Sequence, residues 1–528
     1  MAGADAEVAV LIVGGGPVGL TARALLERWC VPALLVDKRR DLSPFPRSRL
    51  VNVRSMEIFR GLGLATKITD AAFAPEYGRI RFRDTLSGPD FATAAMVGVN
   101  APVPESPVTG VVTSQDRLEP TLLGAADADT RFGVELVGLT EHPDDPEGVT
   151  AELVDHARGE RTRVRARYVL AADGAHSTVR ELLGIGTTGP GALGSFTTVV
   201  FDADLDRWCA RRPAGVYFTA HGSIAPVYPE GGWIWFGLTP EDPGGVDWPG
   251  VVSRAIGPDS GAVADVVRVQ HWVMNAFVAE RFRHGRVLLA GDAAHALPIT
   301  GGMGMNTGVA DVHNLCWKLA GVLHGWAGPG LLDSYETERH PVAGQTLRQT
   351  VANTRLMVEV QTRRHDQLKA GEAASAPVEL PWSDRYFAQL GLVLGVAYRS
   401  AAVRADGPAP PKPSAPSEPS TDYVPTAAPG HRMPHLWLAD GRSTLDACGE
   451  WFTLFTPDPA SWARHTAARW PLRVEHLPGA HPGPHGPGPH GALLVRPDGH
   501  VAARWHDLPA SDAALHQTLA AITSAPAT

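Results

Sequence analysis

Three glycines near the N-terminus have the spacing that lets a backbone approach phosphate. Gly14, Gly16 and Gly19 form a G-x-G-x-x-G pattern between the apolar run VAVLIV and the helix-like stretch LTARALLERWC. The first glycine permits a tight turn, the second admits a pyrophosphate, and the third lets a helix pack closely on a strand. The start of that helix offers free N–H groups to the phosphates. The pattern predicts a dinucleotide site.

A carboxylate stands where such a site needs one. Asp37 ends the second apolar run, VPALLVD, 23 positions after Gly14. An acidic residue about 20 positions beyond the glycines binds a ribose hydroxyl in dinucleotide sites. Lys38 follows, with two roles open to it: neutralising a phosphate or lying in solvent. These residues alone do not distinguish FAD from NAD, because both ligands use this unit.

Two later segments place an acidic residue directly after an apolar run. In YVLAADGAHSTVR, Asp173 precedes a helix-like stretch that carries Arg180. In GRVLLAGDAAHALPITGGMGMNTG, Asp292 follows the run, and four glycines then lie within eight positions. The missing side chains leave room for a phosphate, a metal, a second peptide or a flat ring. Each segment alone is an ordinary turn, but their order after the first glycine pattern favours a cofactor site.

Composition excludes several classes of protein. A chain of 528 residues is long enough for two to four domains, and its net charge of -9 argues against nucleic acid as a partner. Asp5 and Glu7 precede an apolar run of only about six residues, too short for an export signal or a membrane span. We therefore expect a cytoplasmic protein. A disulfide scaffold and a cysteine zinc site are disfavoured because the four cysteines lie far apart: Cys30, Cys209, Cys316 and Cys448.

The pattern of apolar runs predicts an α/β architecture. Strand, glycine turn, helix and strand alternate at the start, which is typical of a parallel sheet with crossover helices. From about 190 to 275, aromatic and β-branched runs between turns predict an antiparallel sheet. The proline-rich stretch GPAPPKPSAPSEPS is a linker, and a third domain of roughly a hundred residues follows it. The first predicted domain is discontinuous and comprises 1–180 and 276–405. The second domain comprises 181–275, to which approximately 78–104 contributes. The linker spans 406–424, and the third domain spans 425–528.

Taken together, these motifs resemble the class A flavoprotein monooxygenases, the p-hydroxybenzoate hydroxylase-like family. The resemblance rests on GGGPVG, ADGAHSTVR and GDAAHALPITGGMGMN, and also on PRSRLVNVRSMEIFRGLGL and VTSQDRLEPTLL. RMPHLWL, FTLFTPDPASW and LLVRPDGHVAARW resemble the thioredoxin-like C-terminal domain of aromatic polyketide hydroxylases. The resemblance implies a Rossmann-type FAD-binding domain with an inserted antiparallel substrate domain, plus that third domain. It implies FAD, reduction by NADPH or NADH, and transfer of one oxygen atom from O2, through a flavin C4a-hydroperoxide, to an aromatic polyketide-type substrate.

The resemblance also implies which residues hold FAD. It assigns the pyrophosphate to the glycine turn, the adenosine ribose to Asp37 with Lys38 beside it, and the ribityl hydroxyls to Asp292. Arg47 matches an arginine that lies along FAD, and Gln115 a glutamine near the ribityl or pyrophosphate region. Asp173, with Arg180, belongs to a motif linked to both FAD and NAD(P)H. The remaining cofactor-binding residues of this prediction are Gly14, Gly16, Pro17, Val18, Gly19, Pro298, Gly304, Met305 and Asn306.

Two catalytic residues and an aromatic pocket complete the expectations. Pro298 matches a proline whose carbonyl lies near the reacting oxygen. Tyr217 falls on the strand that carries a substrate-activating tyrosine in p-hydroxybenzoate hydroxylase, and a pocket wall is its alternative role. His221, Trp233 and Trp235 are predicted to line a broad aromatic pocket, with core packing as the equally weighted alternative. No metal is expected, although His481, His485 and His490 share one loop.

Other functions stay open at this point. A Baeyer–Villiger or oxidative ring-opening enzyme of polyketide biosynthesis has the same fold and nearly the same motifs. A flavin-dependent halogenase is disfavoured, because GGWIWFGL contains W-x-W without the following isoleucine and proline. A flavin-binding scaffold without turnover is disfavoured by the intact glycine loop after Asp292. The third domain lacks C-x-x-C, so we expect it to serve in packing or oligomerisation, with a homodimer as the candidate assembly.

Overall fold

A computed structural model describes most of the chain. The described residues are 4–96, 98–142, 145–257, 259–371, 376–382, 386–404, 422–463, 469–478, 486–511 and 513–526. The core of the linker, His481 and His485 lie outside these ranges. Among the described residues, no helix is long and apolar enough to cross a membrane. Within the same ranges, no three His, Cys, Asp or Glu side chains are grouped to hold a metal ion.

The first sheet is the parallel one that the N-terminal pattern predicts. Its main path runs β16-β17-β10-β1-β2-β7, and β8 and β9 extend it as an antiparallel hairpin beside β10. Residues 10–13 and 34–36 are buried because helices cover both faces. The strands are β1 (Ala6–Val13), β2 (Ala33–Asp37), β7 (Asp129–Phe132), β8 (Val134–His142), β9 (Asp145–Asp155), β10 (Glu160–Ala171), β16 (Arg283–His284) and β17 (Val287–Leu289).

Helices on both faces and two short strands surround this sheet. The longest, α8 and α9, follow the second glycine-rich loop, and α1 follows the first. The helices are α1 (Pro17–Arg28), α2 (Val53–Gly61), α3 (Ala65–Asp70), α4 (Gln115–Leu123), α5 (Thr178–Leu182), α8 (Met303–Leu323), α9 (Asp333–Lys369) and α10 (Leu390–Val393). The strands β3 (Leu50–Val51) and β6 (Val111–Val112) form a separate antiparallel pair.

The second sheet has eight strands in the order β18-β15-β11-β14-β13-β12-β4-β5, all antiparallel except the pair β12–β4. Residues 79–95 thus join the strands of 187–279. One face is covered by α6 (Asp206–Cys209) and α7 (Trp248–Ile256). The strands are β4 (Arg79–Arg83), β5 (Asp90–Ala95), β11 (Thr187–Asp202), β12 (Val216–Thr219), β13 (Gly222–Tyr228), β14 (Gly231–Leu238), β15 (Asp265–Ala279) and β18 (His295–Ala296).

The C-terminal unit is a four-stranded sheet with two flanking helices. Its order is β20-β19-β21-β22, with β19 and β20 parallel. These elements are β19 (Phe452–Thr456), β20 (Leu472–His476), β21 (Ala492–Val495), β22 (Val501–Trp505), α11 (Pro459–Trp462) and α12 (Ala514–Ile522). The mixed α/β architecture agrees with the predicted fold class, while the exact domain boundaries remain predictions.

Buried ion pairs join the C-terminal unit to the first domain. Arg496 donates to both oxygens of Glu338 on α9, at 2.6 and 2.9 Å, and Lys318 on α8 donates to the same carboxylate at 2.8 Å. Arg432 makes a two-pronged contact with Glu57 on α2. Trp317 of α8 packs against Phe452 in the same interface. The contacts place this unit against three helices of the first domain, which is the packing role that we expected.

Candidate active site

The first glycine turn leaves an open approach at its centre. A Cβ on Gly14 would collide with the carbonyl of Ala172, and one on Gly19 would collide with Gly14. At Gly16, by contrast, a Cβ would meet nothing within 4 Å. Gly16 is also the N-cap of α1, and no side chain accepts a hydrogen bond from the first N–H groups of that helix. The free amides and the space above Gly16 suit a phosphate.

Pro17 and Val18 have apolar side chains, so they affect the geometry of the first glycine turn and offer no polar side-chain group. Pro17 occupies the first turn of α1, where its missing N–H costs nothing. The side chain of Val18 points into the protein, since a Cβ on Gly291 or on Gly308 would come within 2.9 Å of it. Val18 thus sets the spacing between the first glycine turn and the loop around Asp292.

Asp37 is held by hydrogen bonds at the end of β2. It accepts from the Gly15 N–H at 2.6 Å and from the Arg39 N–H at 2.7 Å, and the Arg39 guanidinium also contacts it. Burial raises the pKa of Asp37, but the bonds and charge of Arg39 outweigh it and lower the pKa below its usual value. The carboxylate is therefore ionised and aligned with the glycine turn. Lys38 faces solvent and lies 3.9 Å from Glu135.

Arg47 carries a charge without a partner in the described part of the chain. Its side chain makes no hydrogen bond or ion pair there. The surrounding protein and Arg39 lower the pKa of Arg47, whereas Glu119, Asp292 and Asp37 raise it. Arg47 thus interacts electrostatically with Asp37 and Asp292, the two acidic residues predicted to bind opposite ends of the cofactor.

Gln115 organises the loop that carries Arg47. Its Nε2 donates to Glu119 at 2.7 Å, and its Oε1 accepts from the Ser48 N–H at 3.3 Å. Glu119 also accepts from the Ser43 N–H at 3.0 Å, and its burial raises the pKa of this carboxyl group. Both polar ends of Gln115 are already engaged, so its present contacts are with the protein.

The side chain of Asp173 makes its hydrogen bonds within the turn that follows β10. Asp173 accepts from the Ser177 hydroxyl at 2.6 Å and from the Val179 N–H at 3.1 Å, and burial raises its pKa. Arg180 donates to the carbonyl of Ala175 at 2.8 Å and to that of Ala293 at 3.0 Å. This motif therefore joins the loop after β10 to the loop after β17.

Asp292 is the second unpartnered charge. Its carboxylate is open to the cleft, and its Oδ1 lies 3.9 Å from the position of a Cβ on Gly304, at the start of α8. In the described structure it makes no hydrogen bond or ion pair. The enclosing protein raises the pKa of Asp292, while His295 and Arg47 lower it. An unpartnered carboxylate in this setting suits the hydroxyl groups of a ligand.

The start of α8 offers a second set of free amides. Gly302 is in the left-handed region with φ +65°, and a Cβ there would lie 2.6 Å from Leu50. No side chain caps the helix, so the N–H groups of residues 303–305, including Gly304 and Met305, are unbonded within it. Asn306 differs from the expectation: its side chain accepts from the Asn52 N–H at 2.9 Å and donates to Leu50 and Gly302. It therefore holds the two loops together.

The loop between Asp292 and α8 exposes one residue at its centre. Pro298 is buried, whereas Ile299 is 46 % exposed. Asn353 of α9 donates to the carbonyl of Thr300 at 3.2 Å, and Thr354 donates to its hydroxyl at 3.1 Å. The loop is thus fixed from behind by α9.

The predicted catalytic tyrosine and the two pocket tryptophans are buried in the structure. Tyr217, Trp233 and Trp235 belong to one buried cluster beneath α7. The Tyr217 hydroxyl donates to the carbonyl of Arg212 at 2.9 Å, and burial raises its pKa. His221 lies exposed in the turn between β12 and β13, and its carbonyl accepts from the Trp235 indole at 2.8 Å. These contacts favour the packing alternative for Trp233 and Trp235, and a catalytic role of Tyr217 stays a prediction.

The opposite face of the same sheet is half-open: Ala225, Val227 and Ile234 are buried there, and other side chains are not. Alternate residues point to opposite sides of a strand, so the neighbours of the buried cluster face the first domain. Four of them are only partly buried: Val200, Val216, Phe218 and Phe236. Arg268 at the edge of the sheet donates to the carbonyl of Pro44 at 2.8 Å, which joins the sheet to the arginine-bearing loop.

Sequence reasoning missed the buried group that supports the Asp292 turn. Asp311 of α8 accepts from the Gly291 N–H at 3.1 Å, lies 2.6 Å from His295 Nε2, and receives Arg339 Nε at 2.7 Å. Burial raises the pKa of Asp311, but its interactions with His295 and Arg339 outweigh burial and lower the pKa. The available signal was an acidic residue on the apolar face of a predicted helix, four positions before Leu315.

The fold and these charges define a multidomain, dinucleotide-dependent enzyme. Residues 7–350 match the family described as "FAD binding domain", and residues 426–526 match "Aromatic-ring hydroxylase, C-terminal". The chain belongs to this family of FAD-dependent aromatic-ring monooxygenases. The glycine turn, Arg47, Asp292 and the free amides of α8 fit a pyrophosphate, a ribityl chain and a flavin ring, so the residues present suit FAD.

Individual relatives match almost from end to end. The chain is 36 % identical to aklavinone 12-hydroxylase RdmE of Streptomyces purpurascens, over 98 % of both chains. It is 35 % identical to tetracenomycin B2 monooxygenase-dioxygenase of Streptomyces olivaceus, over 94 % of this chain and 95 % of the relative. The solved flavin-dependent monooxygenase PieE, in complex with FAD and substrate, matches with a TM-score of 0.87 and 35 % identity, over 99 % of this chain and 100 % of that one.

Proposed function

We propose that this FAD-dependent monooxygenase hydroxylates an aromatic, polyketide-type polycyclic substrate, with NADPH or NADH as the electron donor. The observation that carries the proposal is the pair of unpartnered charges, Arg47 and Asp292, beside the free amides of α1 and α8. Relatives named for aklavinone and tetracenomycin support the substrate class.

Each part of the cleft has a distinct role in this proposal. The turn from Gly14 to Gly19 holds the pyrophosphate, and Asp37 holds the adenosine ribose. Arg47 neutralises phosphate charge along the cofactor. Asp292 accepts hydrogen bonds from the ribityl hydroxyls, and Asp311 fixes the backbone on which Asp292 stands.

Bound FAD supplies the activation of O2, which no protein side chain performs. The chain's own contribution is placement and electrostatics. The unbonded amides of residues 303–305 stabilise negative charge at the electron-rich edge of the ring. Pro298 and Ile299 lie in the loop that would flank the site of oxygen transfer, and Asn353 of α9 fixes that loop through the Thr300 carbonyl.

A turnover experiment tests the proposal. The purified protein is loaded with FAD and offered tetracyclic and angular polyketide phenols, while NADPH and NADH oxidation and product mass are followed together. We expect a yellow protein, substrate-stimulated oxidation of the nicotinamide, and a product with one added oxygen on an aromatic carbon. A lactone or a cleaved ring indicates the Baeyer–Villiger or ring-opening alternative. Protein that does not take up FAD contradicts the proposal, as does one that yields no oxygenated product from any of these phenols.

Two finer expectations accompany this function. We propose that the enzyme works in the cytoplasm, which is supported by its cysteines, since all four are unpaired. We also propose a homodimer, with the C-terminal unit as the candidate contact. Sedimentation velocity at micromolar concentration tests the assembly, and a monomer throughout contradicts it.

A further inference from the structure

Arg49 spans the gap between the two halves of the cleft. Its Nη1 donates to the carbonyl of Gly215 at 3.0 Å, at the start of β12 in the second sheet. Its neighbour Leu50 lies against Gly302, and Asn306 donates to the Leu50 carbonyl at 2.9 Å. The residue therefore stands between the amides that face the flavin site and the half-open face of the sheet.

The guanidinium of Arg49 lacks an anion. Its Nε and Nη2 are buried without a hydrogen-bond partner, and in the described ranges no carboxylate lies within ion-pair distance. Burial alone lowers the pKa of Arg49 to about 10. Arg339, Arg432 and Arg496 are the most deeply buried arginines of the described structure, and each contacts a carboxylate at 3.0 Å or less. Arg23 and Arg180 are also buried and donate to two or more backbone carbonyls each. An unpaired buried cation is costly, so one that stands at a ligand cleft calls for an acceptor from the ligand.

We propose that Arg49 binds a deprotonated oxygen of the substrate, such as the phenolate of a hydroxylated polycycle. This inference rests on the proposed function, because it places the substrate between β12 and the start of α8. Both free nitrogens are covered by protein, so contact with the substrate requires a rotamer change of Arg49.

Arg49 would thus activate the substrate phenol, the role predicted for Tyr217 from the sequence. A phenol becomes a better nucleophile at the ring carbon when its hydroxyl loses a proton. A cation beside the oxygen favours the ionised form, and the proton is released to solvent. No protein base is needed in this scheme, because the positive charge of Arg49 lowers the pKa of the substrate's own phenol.

A binding experiment tests Arg49 without depending on turnover. The probe is 2-hydroxyanthraquinone, whose visible spectrum changes on ionisation, and its methyl ether is the matched ligand without an acidic oxygen. With FAD-loaded wild type, we expect the pKa of the bound phenol to fall by about one unit or more. In Arg49→Met we expect that shift to disappear and phenolate affinity to drop about tenfold or more. Affinity for the ether stays the same, and Arg49→Lys keeps part of the shift.

The control variant is Arg268→Met, which removes a comparable arginine-to-carbonyl contact, with Pro44, at the exposed edge of the sheet. It is expected to leave the phenol pKa unchanged. Equal binding of phenol and ether by wild type, or no binding of either, overturns the assignment. So does loss of FAD affinity in Arg49→Met with the phenolate preference intact, since the anion would then belong to the flavin. A normal phenol shift without any oxygenated product in turnover assays counts against the proposed function instead.

Discussion

Arg180 donates a hydrogen bond to the backbone carbonyl of Ala293 at 3.0 Å. This single contact joins two motifs that are more than a hundred residues apart and fixes the turn that presents Asp292. The Arg180 guanidinium also lies 4.9 Å from the centre of the Phe277 ring, on β15 of the second sheet. The first domain, the Asp292 turn and the second sheet therefore meet at one side chain.

Removing that side chain should weaken cofactor binding without unfolding the enzyme. In Arg180→Met, the carbonyls of Ala175 and Ala293 lose their charged donor, so we expect FAD affinity to fall about tenfold. Quenching of FAD fluorescence during titration of the apoprotein measures it. Glu181→Gln changes an exposed neighbour and should have no effect. Equal FAD affinity in all three proteins would show that Arg180 does not position the Asp292 turn.

Asn353 should control how efficiently reducing equivalents reach the product. Its Oδ1 accepts from Gln349, Tyr386 and Gln389, at 2.9 to 3.1 Å, while its Nδ2 holds the Thr300 carbonyl. Asn353→Asp keeps an acceptor for the three donors but turns an oxygen toward Thr300. We expect severalfold less product per NADPH oxidised, with more hydrogen peroxide and an unchanged rate of flavin reduction.

The matched control for that variant is Thr354→Val, which removes the hydrogen bond to the Thr300 hydroxyl and the one to the Thr350 carbonyl within α9. It should lower the product yield less than Asn353→Asp does. If the yield per NADPH is the same in wild type and Asn353→Asp, the clamp on the loop has no part in oxygen transfer.

Tyr217→Phe should leave catalysis intact. The hydroxyl is buried beneath α7, donates to the Arg212 carbonyl and interacts with the Cys209 thiol. We expect hydroxylation and flavin reduction within about twofold of wild type, and a loss of about 1 kcal/mol in the free energy of unfolding. Single-turnover kinetics and urea titration measure the two quantities. Slowed hydroxylation with normal flavin reduction would restore the catalytic role first assigned to this residue.

Acid should loosen the C-terminal unit through Glu57. Burial raises the pKa of Glu57, but the charges of Arg432 and Arg54 outweigh it and lower the pKa below 4.5. A carboxylate with a depressed folded pKa stabilises the fold above its unfolded pKa, and that stability is lost as the pH falls through the folded value. We expect the free energy of unfolding to decline below about pH 4.5 for this reason.

Glu57→Gln tests this dependence. It leaves the Arg432 cation buried without a countercharge, so we expect a loss of about 3 kcal/mol at neutral pH and a shallower acid limb. Glu230→Gln removes an exposed ion pair with Arg117 and should cost less than about 1 kcal/mol. Identical acid limbs in wild type and Glu57→Gln, measured by urea titration between pH 3 and 7, would refute the assignment.

The parts of this site that the sequence predicts are those dictated by local backbone needs. Gly14 and Gly19 have no room for a Cβ, and Asp37 and Asp292 follow buried strands, so short motifs identify them. The face of a strand is different. Tyr217 and Phe218 are neighbouring aromatic residues, and only the placement of α7 decides which one joins the cluster beneath that helix. Arg49 meets Gly215 across 166 residues, a pairing that no local pattern encodes.

The most direct test of the account is isotope incorporation from 18O2. The FAD-loaded enzyme, NADPH and an accepted polycyclic phenol are combined under labelled oxygen, and the product is analysed by mass spectrometry with fragmentation. We expect one 18O atom on an aromatic ring carbon of the product. We also expect that the Asp292→Ala variant, once it has lost FAD, does not form this product. An oxygen derived from water, or undiminished labelling in FAD-free Asp292→Ala, would contradict it.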